Sequence, residues 1–257
     1  MIADLHTHIL PGIDDGSRNS EMTEALLREE AAQGVALIAA TPHFYPNRMT
    51  VEGFLEKRAE ALARTEKIRR DAGERMPEIV CGAEVYYFRG IGQAEMIPKL
   101  CIGDTKALLL EMPFEQWESP VTGDIRDLTR RGMKVILAHV ERYTALQKKR
   151  DVWDRVMAMD VVKQINAGSF LKEKGIRGLM FGSKTREFSL RFLKEHPETV
   201  IGTDCHNMEG RRPRLAEARE TIAGELGKEV LERMDQVAEG ILGERKISPR
   251  GLRPWSK

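Results

Sequence analysis

Seven short apolar runs recur along the chain, each separated from the next by charged stretches with hydrophobic residues at helical spacing. The runs are Ile2–His8 (IADLHTH), Val35–Thr41 (VALIAAT), Ile79–Tyr87 (IVCGAEVYY), Ala107–Glu111 (ALLLE), Val135–His139 (VILAH), Val161–Asn166 (VVKQIN) and Val200–Asp204 (VIGTD). Near-continuous apolar segments of this length are the pattern of strands covered on both faces. Between them the spacing predicts helices from Asn19 or Ser20, as N-cap, to about Gly34, and over Thr50–Asp71, Asp124–Arg131, Val152–Met159, Ser183–Glu195 and Pro213–Gly243. No hairpin signal joins consecutive runs, which implies parallel βα units, closed into a barrel or opened into a doubly wound sheet. Polar residues stand at the carboxyl ends of the strands all along the chain. A barrel brings every such end to one face, whereas an open sheet uses one switch point, so a barrel is expected. The expected fold is α/β: a TIM-like barrel of about seven strands in a single domain over residues 1–243, followed by a basic, irregular tail over 244–257.

The polar strand ends carry the chemistry. On the first strand, alternation is expected to put Asp4, His6 and His8 on one face and to turn Leu5 away. Collected from all strands, the groups are His6, His8, Asp15, His43, Glu84, Glu111, His139, Asp204 and His206, with Asp14 as the alternative to Asp15. Five of the six histidines fall in this set, and the sixth, His196, sits in a charged helix-ending segment where a structural role is expected. Imidazole with carboxylate suits Zn, Mn or Fe, and nine ligands exceed the needs of one ion, which implies two or three. Such centres favour in-line displacement on phosphorus, with one ion turning water into hydroxide and others holding the phosphoryl oxygens. Phosphate-ester hydrolysis is the reaction expected, with Arg142 and Arg211 supplying guanidinium forks for the phosphate.

Composition narrows the partners. The 257 residues carry Lys+Arg 41 against Asp+Glu 40, a net charge of +1, so nothing in bulk draws the chain to nucleic acid or lipid. The start has no basic and apolar leader pattern, and no run approaches the ~18 apolar residues of a membrane span, so a cytoplasmic protein without membrane insertion is expected. Three scattered cysteines, Cys81, Cys101 and Cys205, make no disulfide framework.

Asp4-Leu5-His6-Thr7-His8, Asp14-Asp15-Gly16, Thr41-Pro42-His43, Gly82-Ala83-Glu84-Val85-Tyr86-Tyr87, Leu110-Glu111, Ala138-His139-Val140-Glu141-Arg142-Tyr143, Thr203-Asp204-Cys205-His206-Asn207 and Gly210-Arg211-Arg212-Pro213 together resemble the PHP (polymerase and histidinol phosphatase) superfamily. Within it the chain is most similar to bacterial manganese-dependent protein tyrosine phosphatases of capsular and exopolysaccharide clusters, over roughly residues 1–240. The resemblance implies a distorted seven-stranded barrel and a trinuclear centre, with manganese the first choice of metal and iron or zinc the alternatives. It assigns His6, His8, Glu84 and Asp204 to one ion, with Glu84 bridging, Glu111 and His139 to a second, and Asp15, His43 and His206 to a third. Arg142 and Arg211 match the family's arginines. The implied reaction is hydrolysis of phosphotyrosine by a metal-held hydroxide, the implied partner the tail of a bacterial tyrosine kinase. A small-molecule phosphatase, such as one for histidinol phosphate, is the first alternative, and a catalytically silent regulatory barrel the second. Cys205 to Arg211 also fits the Cys-x5-Arg pattern of thiol-based phosphatases, but Glu209 inside that loop and Asp204 beside the thiol oppose such chemistry. Tyr86, Tyr87 and Trp117 are read as packing residues.

Overall fold

Two parallel sheets, β1-β2-β4 and β3-β5-β6-β7-β8-β9, form the centre of the computed structural model, which describes residues 1–73, 75–118, 120–148, 150–172 and 183–243. The order along the chain is β1 (Ala3–Thr7), α1 (Ser20–Ala32), β2 (Leu37–Ala40), β3 (His43–Phe44), α2 (Val51–Asp71), β4 (Glu78–Cys81), β5 (Glu84–Tyr86) and β6 (Ala107–Glu111). There follow α3 (Pro120–Arg130), β7 (Lys134–Leu137), α4 (Arg150–Met157), β8 (Val162–Asn166), α5 (Ser183–Glu195), β9 (Thr199–Gly202), α6 (Leu215–Leu226) and α7 (Lys228–Leu242). The tail expected over 244–257 lies outside the described residues. Among the described residues no helix is long and apolar enough to cross a membrane.

One expected strand gains a short successor and another is divided. Val35–Thr41 contains β2, and β3 follows it beyond Pro42, which has no N–H for a ladder. Ile79–Tyr87 becomes β4 and β5, interrupted at Gly82, where a Cβ would come within 3.0 Å of the Ile102 side chain. The two breaks lie side by side, and hydrogen bonds continue across them from Gly82 N to Ala40 O (2.8 Å) and from Glu84 N to Pro42 O (3.0 Å). The stretch therefore bends as a pair. At the far margin, Asp204 N donates to His6 O (2.8 Å) and His8 N to Cys205 O (3.0 Å), joining the chain beyond β9 to β1.

Helix starts carry capping residues, although α3 begins four residues before the expected Asp124 and α4 two before Val152. Asn19 caps α1 by accepting from Met22 N, Thr50 caps α2 by accepting from Gly53 N, and α3 opens on Pro120. The expected Pro213–Gly243 stretch is two helices, because Gly227 takes a positive φ of 95° between them.

Alternation along the strands feeds two cores. Ala107, Leu109, Ile136, Ala138, Val162 and Val200 join Ala3, Leu5 and Leu37 in an inner cluster that α7 also touches through Ala238, Ile241 and Leu242. Leu108, Leu110, Val135, Leu137 and Ile165 face the other way, into the larger cluster beneath the helices. Burial on both faces explains why the strands read as unbroken apolar runs.

One expectation about β1 is overturned. Asp4 pairs with Ile38 of β2 and Thr7 with Ala40, so β1 spends one more residue than its partner between these points, a bulge. Leu5 consequently belongs to the inner cluster. Asp4 instead faces Glu30 of α1 and accepts from Thr203 N at 3.0 Å, apart from the histidines it was expected to accompany.

Candidate metal centre

Every one of the nine strand-end groups reaches a common site. The bulge in β1 delivers both His6 and His8 to it, and both are fully buried. His6 fits only because residue 202 has no side chain: a Cβ on Gly202 would lie 2.7 Å from His6 Cβ. Among the described residues, His139 (φ 34°) and Asp204 (φ 53°) are the non-glycine residues with left-handed backbone. Both are candidate ligands. Such conformations cost of order 1–3 kcal/mol and persist where the surroundings impose them, as at sites of function.

The donor atoms fall into three overlapping groups. His6 Nε2 and His8 Nε2 are 3.2 Å apart, each 3.3 Å from Glu84 Oε2, and 3.5 and 3.4 Å from Asp204 Oδ1. His139 Nε2 lies 2.9 Å from Glu84 Oε1 and 3.5 Å from Glu111 Oε1. Asp15 Oδ1 lies 3.5 Å from His43 Nε2 and 3.4 Å from His206 Nε2. Glu84 is the acid common to the first two groups, and its Oε2 is also 3.0 Å from His43 Nδ1.

The tautomers of three imidazoles are set from behind. His6 Nδ1 donates to Gln164 Oε1 (3.0 Å), His8 Nδ1 to Asp14 Oδ2 (2.7 Å) and His206 Nδ1 to Asp204 O (2.9 Å). In each neutral ring the Nε2 lone pair is then bare and turned toward carboxylate oxygens. Glu84 Oε2, Glu111 Oε2 and His206 Nε2 are buried without a hydrogen-bond partner. Buried acceptors that face acceptors are satisfied by a cation between them, and two residue classes so arranged fit divalent ions.

The electrostatics agree. Burial alone would lower the imidazoles of His6 and His139, yet Glu84 with Asp204 holds the first above its ordinary value, and Glu111 with Glu84 lifts the second to about 9. Burial likewise opposes ionisation of Glu84 and Asp204, but His6 and the other imidazoles hold both acids well below the usual carboxylate range. The cluster draws positive charge, as protons or as metal.

Asp14 and Asp15 divide their roles. The Asp14 carboxylate is buried and orients His8 while accepting from His43 N (3.0 Å), whereas the exposed Asp15 meets His43 and His206 Nε2. The two arginines meet at the rim: Arg211 Nη2 is 2.7 Å and Arg142 Nη1 3.7 Å from Asp204 Oδ2, and Arg142 lies over Phe114, which stacks on His139. His196 sits apart against Phe192 and Glu198. Tyr87 donates to Asp124 (2.7 Å) and Trp117 to Pro113 O (2.8 Å), both packing roles, while Tyr86 lies near the mouth against Tyr45.

Sequence reading passed over Gln164 and Asn166. Gln164 Oε1 accepts from both His6 Nδ1 and His139 N (2.8 Å), its Nε2 donates to Asn166 Oδ1 (2.9 Å), and Asn166 Nδ2 donates to Asp204 Oδ2 (2.8 Å). The available signal was two amides at alternate positions of an apolar strand, which places them on one face. Cys205 is fully buried on the opposite side of β1, its Sγ toward Glu30 Oε1. Burial, with Glu30 and Asp4 adding to it, pushes its thiol well up, against any thiolate mechanism.

Comparison with known proteins extends the motif resemblance. The tyrosine-protein phosphatase CpsB of Streptococcus agalactiae serotype V is 29% identical over 238 residues, covering 88% of this chain and 91% of the relative. The tyrosine-protein phosphatase YwqE of Bacillus subtilis is 27% identical over 247 residues, covering 95% and 92%. A structure from a study of YwqE from Bacillus subtilis and CpsB from Streptococcus pneumoniae, described there as unique metal-dependent tyrosine phosphatases, superposes with a TM-score of 0.77 at 26% identity, over 94% of each chain. The phosphotriesterase homology protein of Escherichia coli shares the fold alone, with a TM-score of 0.53 at 10% identity over 94% of this chain and 98% of that one. Residues 2–239 match the family described as capsular polysaccharide synthesis, CpsB/CapC, and the chain belongs to that family.

Proposed function

We propose that the chain is a metal-dependent protein tyrosine phosphatase that removes phosphate from the tail of a bacterial tyrosine kinase in the cytoplasm, and so regulates capsule or exopolysaccharide synthesis. The carrying observation is the convergence of the bare Nε2 lone pairs of His6 and His8 on the buried carboxylates of Glu84 and Asp204, with His206 Nε2 beside Asp15 at the exposed margin. His6, His8, Glu84 and Asp204 would hold one divalent ion, Glu84, Glu111 and His139 a second, and Asp15, His43 and His206 a third, with manganese the first choice and iron or zinc the alternatives. Bound there, such ions supply Lewis acidity, which activates water and stabilises charge on the phosphoryl oxygens.

The chain's own residues do the rest. Arg142 and Arg211 rest on Asp204 and are placed to turn to phosphate oxygens, where planar forks bind two oxygens at once. Gln164, Asp14 and the Asp204 carbonyl keep three imidazoles in the donor tautomer. The leaving phenolate has a conjugate acid of pKa near 10, so no strong general acid is required. This reading takes the two sheets as one distorted barrel of seven strand units within a domain over 1–243; the hydrogen bonds joining β1 to the chain beyond β9, and the paired bend at Pro42 and Gly82, support it.

The test combines metal content per chain, by mass spectrometry, with phosphate release from a phosphotyrosyl peptide. Two or three ions per chain are expected, with activity removed by chelation, and His6→Ala should lose both an ion and roughly 10³-fold in rate. A metal-loaded protein faster on histidinol phosphate than on the peptide would favour a small-molecule role instead.

A further inference from the structure

We propose that the cavity beside Asp15 and His43 seats the aromatic ring of the substrate and makes the centre selective for aryl over alkyl phosphate monoesters. The inference rests on the phosphatase reading above and adds a binding site to it. The cavity measures about 420 Å³, within the range of small-molecule pockets, and it runs from acid to hydrocarbon. Asp15 and His43 line it together with the apolar Ile13, Met49 and Phe54, and Asp14 and Arg48 add charge to the lining. Since Arg142 and Arg211 gather at Asp204, a phosphoryl group over the cluster has guanidinium groups at Asp204 and an apolar recess at Asp15 and His43.

The recess is preformed. Phe44 and Phe54, each 1% exposed, meet edge to face at 5.2 Å and back the recess, and the partly buried Ile13 and Met49 present the apolar surface a ring would cover. Tyr45 stands at the junction, its ring 5.1 Å from that of His43 and 5.5 Å from Tyr86, with the Arg48 guanidinium 4.7 Å away over its face. A planar substrate ring entering from the metal end finds a fixed aromatic surface there. The methylene of a phosphoserine, in the same position, would leave the walls uncovered and forfeit the burial. A phenyl group placed against such walls improves binding by about tenfold or more over a methyl group.

The experiment uses the full, metal-loaded chain. Calorimetric titration compares phenylphosphonate with methylphosphonate, neither of which can be hydrolysed at the P–C bond, in the wild type and in Met49→Trp, which fills the recess without touching a proposed ligand. The wild type should prefer phenylphosphonate about tenfold, and Met49→Trp should abolish the preference while leaving methylphosphonate binding unchanged. In parallel, KM should rise together for para-nitrophenyl phosphate and a phosphotyrosyl peptide, with kcat little altered. Met49→Ala, which enlarges the recess, guards against a variant that fails to fold: it should weaken phenylphosphonate alone, severalfold. Equal binding of the two phosphonates by the wild type overturns the proposal, as does a preference that survives Met49→Trp. A KM change confined to the peptide also overturns it, since the recess would then take a neighbouring side chain. Failure of the metal-loaded wild type to release phosphate from any monoester would instead sink the phosphatase reading.

Discussion

The two sides of β1 hold buried polar clusters of opposite character. On one side His6 and His8 meet Glu84 and Asp204; on the other Asp4 meets Glu30, with Thr203 and Cys205 around them. All of these side chains are nine-tenths buried or more. Toward the metal site the acids are held well below their ordinary range by imidazoles. Toward α1 burial pushes both acids up, Glu30 well up because the Asp4 charge adds to it, so the pair retains a proton. Asp4 accepts from the His6 and Thr203 backbone N–H groups and Glu30 Oε1 from the Thr203 hydroxyl, which leaves Glu30 Oε2 as the buried oxygen that the retained proton, not a metal, has to satisfy. Burial alone therefore does not make a metal site; bare imidazole lone pairs do.

The contrast can be broken from either side. The largest effect is expected on the metal side, from Gln164→Ala, which frees the His6 tautomer and the Asp204 hold together. Metal affinity should fall about 10–100-fold in a competition titration, with the fold intact by circular dichroism. An unchanged affinity would mean that the imidazoles orient themselves.

On the α1 side, Glu30→Gln imitates the protonated acid. An acid whose folded pKa is raised binds more protons folded than unfolded, so its contribution to stability falls as pH rises from the unfolded value of 4.5 toward the folded one. The variant should therefore be more stable than the wild type at pH 8, by about 1–2 kcal/mol, with the gap closing near pH 4. Thermal melts across that range would expose the opposite slope if the pair were ionised. The smallest effect is expected from Cys205→Ser: unchanged metal content and a rate within about twofold, because the thiol faces Glu30 and not the cluster. An inactive variant with its metals intact would reinstate thiol chemistry.

Much of this centre was readable from the sequence because the ligand candidates other than Asp15 stand at or beside the ends of apolar strands, or interrupt them, where a polar side chain has no place in a core. His139, Glu111 and Asp204 are of this kind. Gln164 and Asn166 escaped because an amide in a strand announces no metal chemistry of its own; its role exists only once His6 and His139 arrive from elsewhere in the chain. The facing of Asp4 was misjudged because strict alternation assumes an unbroken ladder, and the bulge between Asp4 and Thr7 has no glycine to announce it. The breaks at Pro42 and Gly82 did have such residues, but their effect on strand pairing depends on Ile102 and on the neighbouring strand.

Gly202 carries no functional group, yet its missing side chain is the space that His6 Cβ occupies. Even alanine there would put a Cβ 2.7 Å from that of His6, so either the strand or the imidazole would have to move. Restraint on sequence change thus spreads from the residues that perform chemistry to one whose contribution is to be absent.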